Sequence, residues 1–225
     1  MKHHSDLDSL MGNGSLPALT PRKSPRQGRS IATVDAIFEA TIQVLLGDGL
    51  MRLTTTRVAH RAGVSVGTLY QYFPNKQALL FAVLERHLAM LAEAIEKACD
   101  ENHGATKEMI AEIVVKAYLQ AKMAQAEVSP SLYRIAMELD ARELMELATR
   151  RSAKAIEAML STSDGRFADP SLLAQTLTAA LYGTVPAFCH RVLSVADGAE
   201  AERQLTIMFR SYLVAQQSGI AEAKC

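Results

Sequence analysis

The stretch Thr54–Leu80, "TTTRVAHRAGVSVGTLYQYFPNKQALL", is where the chain departs from the long Ala- and Leu-rich helical periodicity that surrounds it. Two very short amphipathic pieces meet across one glycine and end in an aromatic doublet followed by proline. Thr55 is placed to accept free N–H groups at the start of a helix that runs to Ala62, with Val58, Ala59 and Ala62 facing inward. Gly63 supplies the turn, because glycine alone adopts positive φ without penalty. Ser65 then caps a second helix whose inward face is Val66, Leu69, Tyr70 and Phe73. Small residues at the junction (Ala59, Ala62, Gly63) let two helices cross closely, which is the pattern of a helix-turn-helix whose second helix enters the DNA major groove.

The remaining face of that second helix is Ser65, Gly67, Thr68, Gln71 and Tyr72. These side chains are uncharged and rich in hydroxyl, amide and backbone donors, as contact with base edges requires. Tyr70 stands at the margin, where its ring packs and its hydroxyl reaches a phosphate. Lys76 opens the next helix, whose N-terminus also favours an anion. Thr56 and Arg57, beside Thr55 at the start of the first helix, are further candidate DNA contacts.

Charge distribution agrees. The chain is neutral overall, yet Pro21–Lys76 holds eight Lys/Arg against three acids, a net of +5, so the remainder carries −5. A basic end on an acidic body is the footprint of a protein that meets a polyanion with one end. Arg22, Lys23, Arg26 and Arg29 read as an arm on the phosphate backbone or in the minor groove; a generic solvated tail is the alternative.

The stretch "TTTRVAHRAGVSVGTLYQYFPNK", with the basic arm before it, closely resembles the DNA-binding signature of the TetR (tetracycline-repressor-like) family of transcriptional regulators. The resemblance covers Arg26 to Lys76. It implies phosphate contacts from Thr55, Tyr70 and Lys76, and base-facing roles around Ser65, Val66, Gly67, Thr68 and Tyr72. Val66 and Gly67 stand where some members carry a bulky Gln or Lys. It also implies a homodimer on a palindromic operator, repression, and release by a small apolar effector.

The expected fold is all-α, with valine-rich alternating runs missing from 225 residues. Residues 1–24 read as a flexible leader, 25–75 as the DNA-binding domain, and 76–225 as a helical bundle for effector binding and dimerisation. Ile31, Val34, Ile37, Phe38, Thr41 and Leu45 mark one face of the first helix, stopped by Gly47 and Gly49. Asn75 caps a helix from Lys76 to about Cys99, and further helices span about 106–126, 171–193 and 199–217. Ser129-Pro130 opens a short helix, followed by a long one after a break near Asp140.

Within the body, Ile113, Tyr118, Met123, Leu132, Tyr133, Met137, Leu144, Met145 and Tyr182 are candidates for an effector pocket, or else plain core. Leu173, Leu177, Ala180 and Leu181 on one helix, with Leu205, Met208, Phe209, Tyr212 and Leu213 on the next, are candidates for the dimer interface. The other possibility is that these stripes face the chain's own core.

Several alternative chemistries fail on context. "GVSVG" matches the nucleophile elbow G-x-S-x-G, but that motif needs a strand before its serine, and here a helix precedes it. The same five residues contain G-x-x-x-G, outside any apolar span. The six histidines are scattered, Cys189-His190 is mere adjacency, and no phosphate loop or dinucleotide fingerprint occurs. Neither a cofactor, nor a metal, nor an enzyme activity is therefore expected. Three widely separated cysteines (Cys99, Cys189, Cys225) read as buried, reduced thiols of a cytoplasmic protein, with a redox-sensing cysteine as the alternative. The N-terminus lacks the apolar core of a signal peptide, and the uncharged run Pro170–Cys189 reads as a buried helix rather than a membrane span.

Overall fold

A computed structural model describes residues 28–189 and 195–222, with side chains for 30–184 and 198–216. The described elements are all helical: α1 (Gly28–Asp48), a 3-10 turn (Leu50–Arg52), α2 (Thr55–Arg61), α3 (Val66–Tyr72), α4 (Lys76–Asp100), α5 (Lys107–Met123), α6 (Ser129–Glu138), α7 (Arg142–Thr162), α8 (Pro170–Cys189) and α9 (Val195–Glu222). Two compact units divide within α4, after Val83. That lies about two helical turns beyond the boundary read from the sequence, because Ala78, Leu79, Ala82 and Val83 belong to the N-terminal core.

In the N-terminal unit, α1 buries Ile37, Ala40, Val44 and Leu45 against α2. Thr41 is also buried, and its hydroxyl is satisfied by donating to the Ile37 carbonyl at 2.7 Å. Ile31, expected inward, is exposed, and Val34 and Phe38 are half-buried. By length and composition α1 is the described helix that could cross a membrane; its apolar stripe is instead core. Gly49 at φ 77° ends α1, its N–H donating to the Leu45 carbonyl at 3.1 Å. Leu50 of the 3-10 turn, which packs on α1, and Leu53 just after it are both buried.

The short helices are held by caps. Thr54, one residue before the expected Thr55, is the N-cap of α2, its Oγ1 accepting the Arg57 N–H at 3.2 Å. The helix begins where the chain leaves extended backbone, and of three successive threonines the pattern alone does not say which that is. Ser65 caps α3, accepting the Thr68 N–H at 3.0 Å, and Asn75 Oδ1 accepts the Ala78 N–H at 2.7 Å to start α4.

In the C-terminal unit α7 packs on α8, α5 on α9, and α5 also meets α7. The core is Ile110, Val114, Tyr118, Ile156 and Leu160 with Leu177, Leu181, Leu205, Phe209 and Leu213. The Tyr118 and Tyr182 rings meet at 5.0 Å between centroids, tilted by 52°, and the Tyr182 hydroxyl meets Ser152 Oγ at 3.1 Å. Arg151 clamps Glu96 through two hydrogen bonds of 2.8 and 2.7 Å, tying α7 to α4. The break between α6 and α7 turns on Asp140 at φ 47°, with Arg142 held on its carboxylate at 2.8 Å.

Candidate nucleic-acid interface and internal cavity

Burial sorts α3 into two faces. Leu69 and Phe73 are core, Val66, Thr68 and Tyr72 are half-buried, and Ser65, Gly67, Tyr70 and Gln71 are exposed. Tyr70, expected at the edge of the buried face, is 40% exposed, and its hydroxyl lies 3.0 Å from Thr55 Oγ1. Thr55 is itself buried, so these two residues pin α3 to α2. The Lys76 ammonium donates to the Leu50 carbonyl at 3.2 Å, which orients it while leaving donors for a second acceptor. Thr56 and Arg57 are exposed; Arg57 pairs with Asp48 at 2.8 Å, an exposed pair of little energetic weight. Arg61, not among the expected contacts, donates to Gln43 Oε1 at 2.8 Å. Arg22, Lys23 and Arg26 lie outside the described residues, as does the side chain of Arg29.

Among the described residues of the body, a small void lies between α4, α5, α6 and α7. Leu84, His87 and Leu88 of α4, Lys122 of α5, Leu132, Tyr133 and Ala136 of α6, and Met145 of α7 line this partly open space of about 10 Å³, roughly that of one water. Of the expected pocket residues, Leu132, Tyr133 and Met145 line it. The others do not. Tyr118, Tyr182 and Leu144 are buried elsewhere in the core, Ile113 and Met123 are half-buried outside the lining, and Met137 is 83% exposed. Periodicity identifies an apolar face, but the neighbouring helix decides whether the space before that face is filled, empty or solvent.

His87 and Lys122 escaped the sequence reading, although each interrupts an apolar stripe at helical spacing: Leu80, Val83, Leu84, His87, Leu88 on α4, and Val115, Tyr118, Leu119, Lys122 on α5. Lys122 is only 1% exposed, with Nζ 4.4 Å above the Tyr133 ring and 3.4 Å from its hydroxyl. His87 Nδ1 lies 2.7 Å from Gln125 Oε1, while its Nε2 is buried with no hydrogen-bond partner. Burial, reinforced by the Lys122 charge and opposed by Gln125, lowers the imidazole from 6.5 to about 4. Because the folded value lies below the unfolded one, the neutral ring's contribution is complete above pH 6.5. It is lost as pH falls toward 4, about 3 kcal/mol in all. We expect urea melts of wild type to lose that much more stability over this window than those of His87→Gln; equal losses would refute it.

Cys99 is buried, and desolvation with nearby Asp100 and Glu96 pushes its thiol up to about 12, so it is a poor nucleophile. The side chain of Cys189 and all of Cys225 lie outside the described residues. Among the described residues no cluster of three or more His, Cys, Asp or Glu could hold a metal ion.

Most residues of the stripes expected at a dimer interface pack within the chain's own core. Leu173, Leu177, Leu181, Leu205, Phe209 and Leu213 are buried in the chain's own core, Ala180 and Tyr212 are half-buried, and only Met208 is exposed. Each helix also has an exposed face of small or apolar residues: Leu172, Thr176, Ala179 and Gly183 on α8, and Ile207, Met208 and Ser211 on α9. The longer leucines fill the interior, and small or mixed residues remain outside.

Comparison with known proteins decides the family. The model for bacterial regulatory proteins of the tetR family matches residues 37–83, and the tetracyclin repressor-like C-terminal domain matches 106–213. The chain belongs to the TetR family. That family is one of regulators rather than enzymes. This TetR-family chain is 33% identical over 129 residues to the nucleoid occlusion factor SlmA of Glaesserella parasuis, a match covering 54% of this chain and 59% of the relative. It is 30% identical over 80 residues to the fatty acid metabolism regulator protein of Bacillus subtilis, covering 36% and 41%. It thus spans about half the length of the curated relatives it matches. Among solved structures, the fatty acid degradation regulator FadR of Bacillus halodurans shares its fold at a TM-score of 0.61 and 18% identity, covering 84% of this chain and 96% of that one. LfrR of Mycobacterium smegmatis, solved with proflavine, does so at 0.51 and 17%, covering 84% and 98%.

Proposed function

We propose that this chain is a ligand-responsive transcriptional repressor of the cytoplasm, binding a palindromic operator as a homodimer and released by a small, largely apolar effector in its C-terminal unit. The observation that carries this reading is the outward face of α3: a capped helix with Leu69 and Phe73 buried beneath it and Ser65, Gly67 and Gln71 outward. Ser65, Val66, Gly67, Thr68, Gln71 and Tyr72 take the base-facing role, and Thr55, Thr56, Arg57, Tyr70 and Lys76 the phosphates, with Arg26 and Arg29 on the arm. One such domain makes few contacts, so two-fold pairing supplies the rest. The exposed faces of α8 and α9, with Leu172, Ile207 and Met208, take the role of the pairing surface. FadR and the fatty acid metabolism regulator are named for fatty acids and LfrR was solved with proflavine, which supports an apolar or aromatic effector here.

The test is selection of DNA from a random pool by the purified full chain at near-physiological salt. Enrichment of a two-fold symmetric site is the expected result, and recovery of unenriched DNA would reject the reading. Gly67→Ala sharpens it. An added Cβ lies 3.7 Å from Ser65 Oγ, an ordinary contact, so alanine stabilises the helix by up to about 1 kcal/mol. The same methyl stands on the groove face, so affinity for the selected site should fall by about 1–3 kcal/mol. A variant that gains stability and keeps full affinity would remove Gly67 from the interface.

A further inference from the structure

Two exposed arginines stand one turn apart on α2, and α1 holds each of them by a different kind of acceptor. Arg61 Nε donates to the neutral amide oxygen of Gln43 at 2.8 Å, and Arg57 Nη1 donates to the Asp48 carboxylate at 2.8 Å. The bonds are equally short, so either acceptor serves to orient a guanidinium. Only the carboxylate also cancels its charge. Folding gives little reason for an acid at position 48. The Arg57 and Asp48 side chains are 51% and 40% exposed, where such bridges add little to stability. Asp48 is also the last residue of α1, and the negative end of a helix dipole disfavours an anion there. An asparagine would accept the same hydrogen bond and suit the helix end better.

Toward a polyanion the carboxylate acts against its neighbour. A phosphate that displaces it from Arg57 leaves Asp48 without its cation beside the DNA. A phosphate that shares the guanidinium fork instead puts two anions around one cation. Both weaken binding, whereas Gln43 imposes no such penalty on Arg61. We propose that Asp48 sets DNA affinity from within the protein, as an internal competitor for Arg57 that holds binding below what this arginine would otherwise provide. This rests on the phosphate role given to Arg57 above and adds to it a residue that acts through another. An affinity held down in this way stays within the range that an effector coupling of about 5- to 150-fold can switch.

Fluorescence anisotropy of the full chain with a labelled duplex of random sequence, across a salt series, tests this. Asp48→Asn should bind roughly fivefold more tightly for each copy bound at about 0.15 M salt, as one further phosphate neutralised implies. Its log–log salt slope should steepen by about 0.9 per copy. Glu39→Gln is the control: it removes the same charge from α1, where Glu39 accepts the Gln43 amide at 3.0 Å and meets no arginine, and it should change affinity little. Arg57→Ala should weaken binding, and in its background the gain from Asp48→Asn should fall to that of the control. Urea midpoints of these variants should stay close to wild type, and Asp48→Ser serves as a second neutral substitution if the asparagine folds poorly. The inference is overturned if Asp48→Asn binds no more tightly than wild type, if Glu39→Gln gains as much, or if the gain survives Arg57→Ala. Unchanged affinity in Arg57→Ala removes the contact and the inference together. A chain that binds no duplex in any form loses the regulator reading as well, whereas binding that ignores Asp48 loses the inference alone.

Discussion

Phe73→Ala will melt the N-terminal unit. Phe73 is 2% exposed, its ring lies 5.6 Å from that of Phe38, and its N–H closes α3 by donating to the Leu69 carbonyl at 2.9 Å. Removing a buried phenyl ring costs about 3–5 kcal/mol, of which part is the cavity left behind. At roughly 0.05–0.15 kcal/mol per residue, a unit of this size has little more than that in reserve. Amide exchange read residue by residue should show protection lost across α1, α2 and α3 and kept in α5 and α9. Operator binding should vanish with it. Unchanged protection in α1–α3 would mean the ring is not the keystone its burial suggests.

Two adjacent residues on α9 should fail in opposite ways. Phe209 is 1% exposed, and Phe209→Ala should cost the C-terminal unit about 3–5 kcal/mol, visible as a lowered denaturation midpoint whatever the protein concentration. Met208 is exposed beside Ile207, so Met208→Glu should leave the stability of the isolated chain within about 0.5 kcal/mol. What it should lose is assembly: a glutamate on a two-fold face meets its own copy, and sedimentation should shift from dimer toward monomer. Operator affinity then becomes strongly dependent on protein concentration. A dimer that survives Met208→Glu and an equivalent Leu172→Glu unchanged would place the pairing surface elsewhere.

Much of the local structure was legible because its causes are local. Ser65 and Asn75 each accept an N–H three residues on, and Gly49 and Gly63 take positive φ where a helix must stop. Caps and glycines act within one turn of chain, so the letters nearby suffice. The Thr54–Thr55 displacement marks the resolution of such reading. Thr55 was seen as a helix-end hydroxyl, but its actual bond is to Tyr70, fifteen residues away.

The body was legible only as helices. Leu173, Leu177 and Leu205 stood out as apolar stripes, and a stripe has no arrow: the same leucines serve a core or a partner, and only the placement of α5 and α7 assigns them to the core. Met137 likewise belonged to an apolar set by composition and to solvent by position. His87 and Lys122 were missed because their meaning lies in their sharing one void from positions 87 and 122. Sequence by itself determined where helices start, which faces are apolar, and the helix-turn-helix, since these follow from backbone hydrogen bonding and side-chain period. Tertiary structure alone decided which apolar face is covered and which charge is enclosed, because burial and desolvation belong to the neighbours that packing brings, not to the residue.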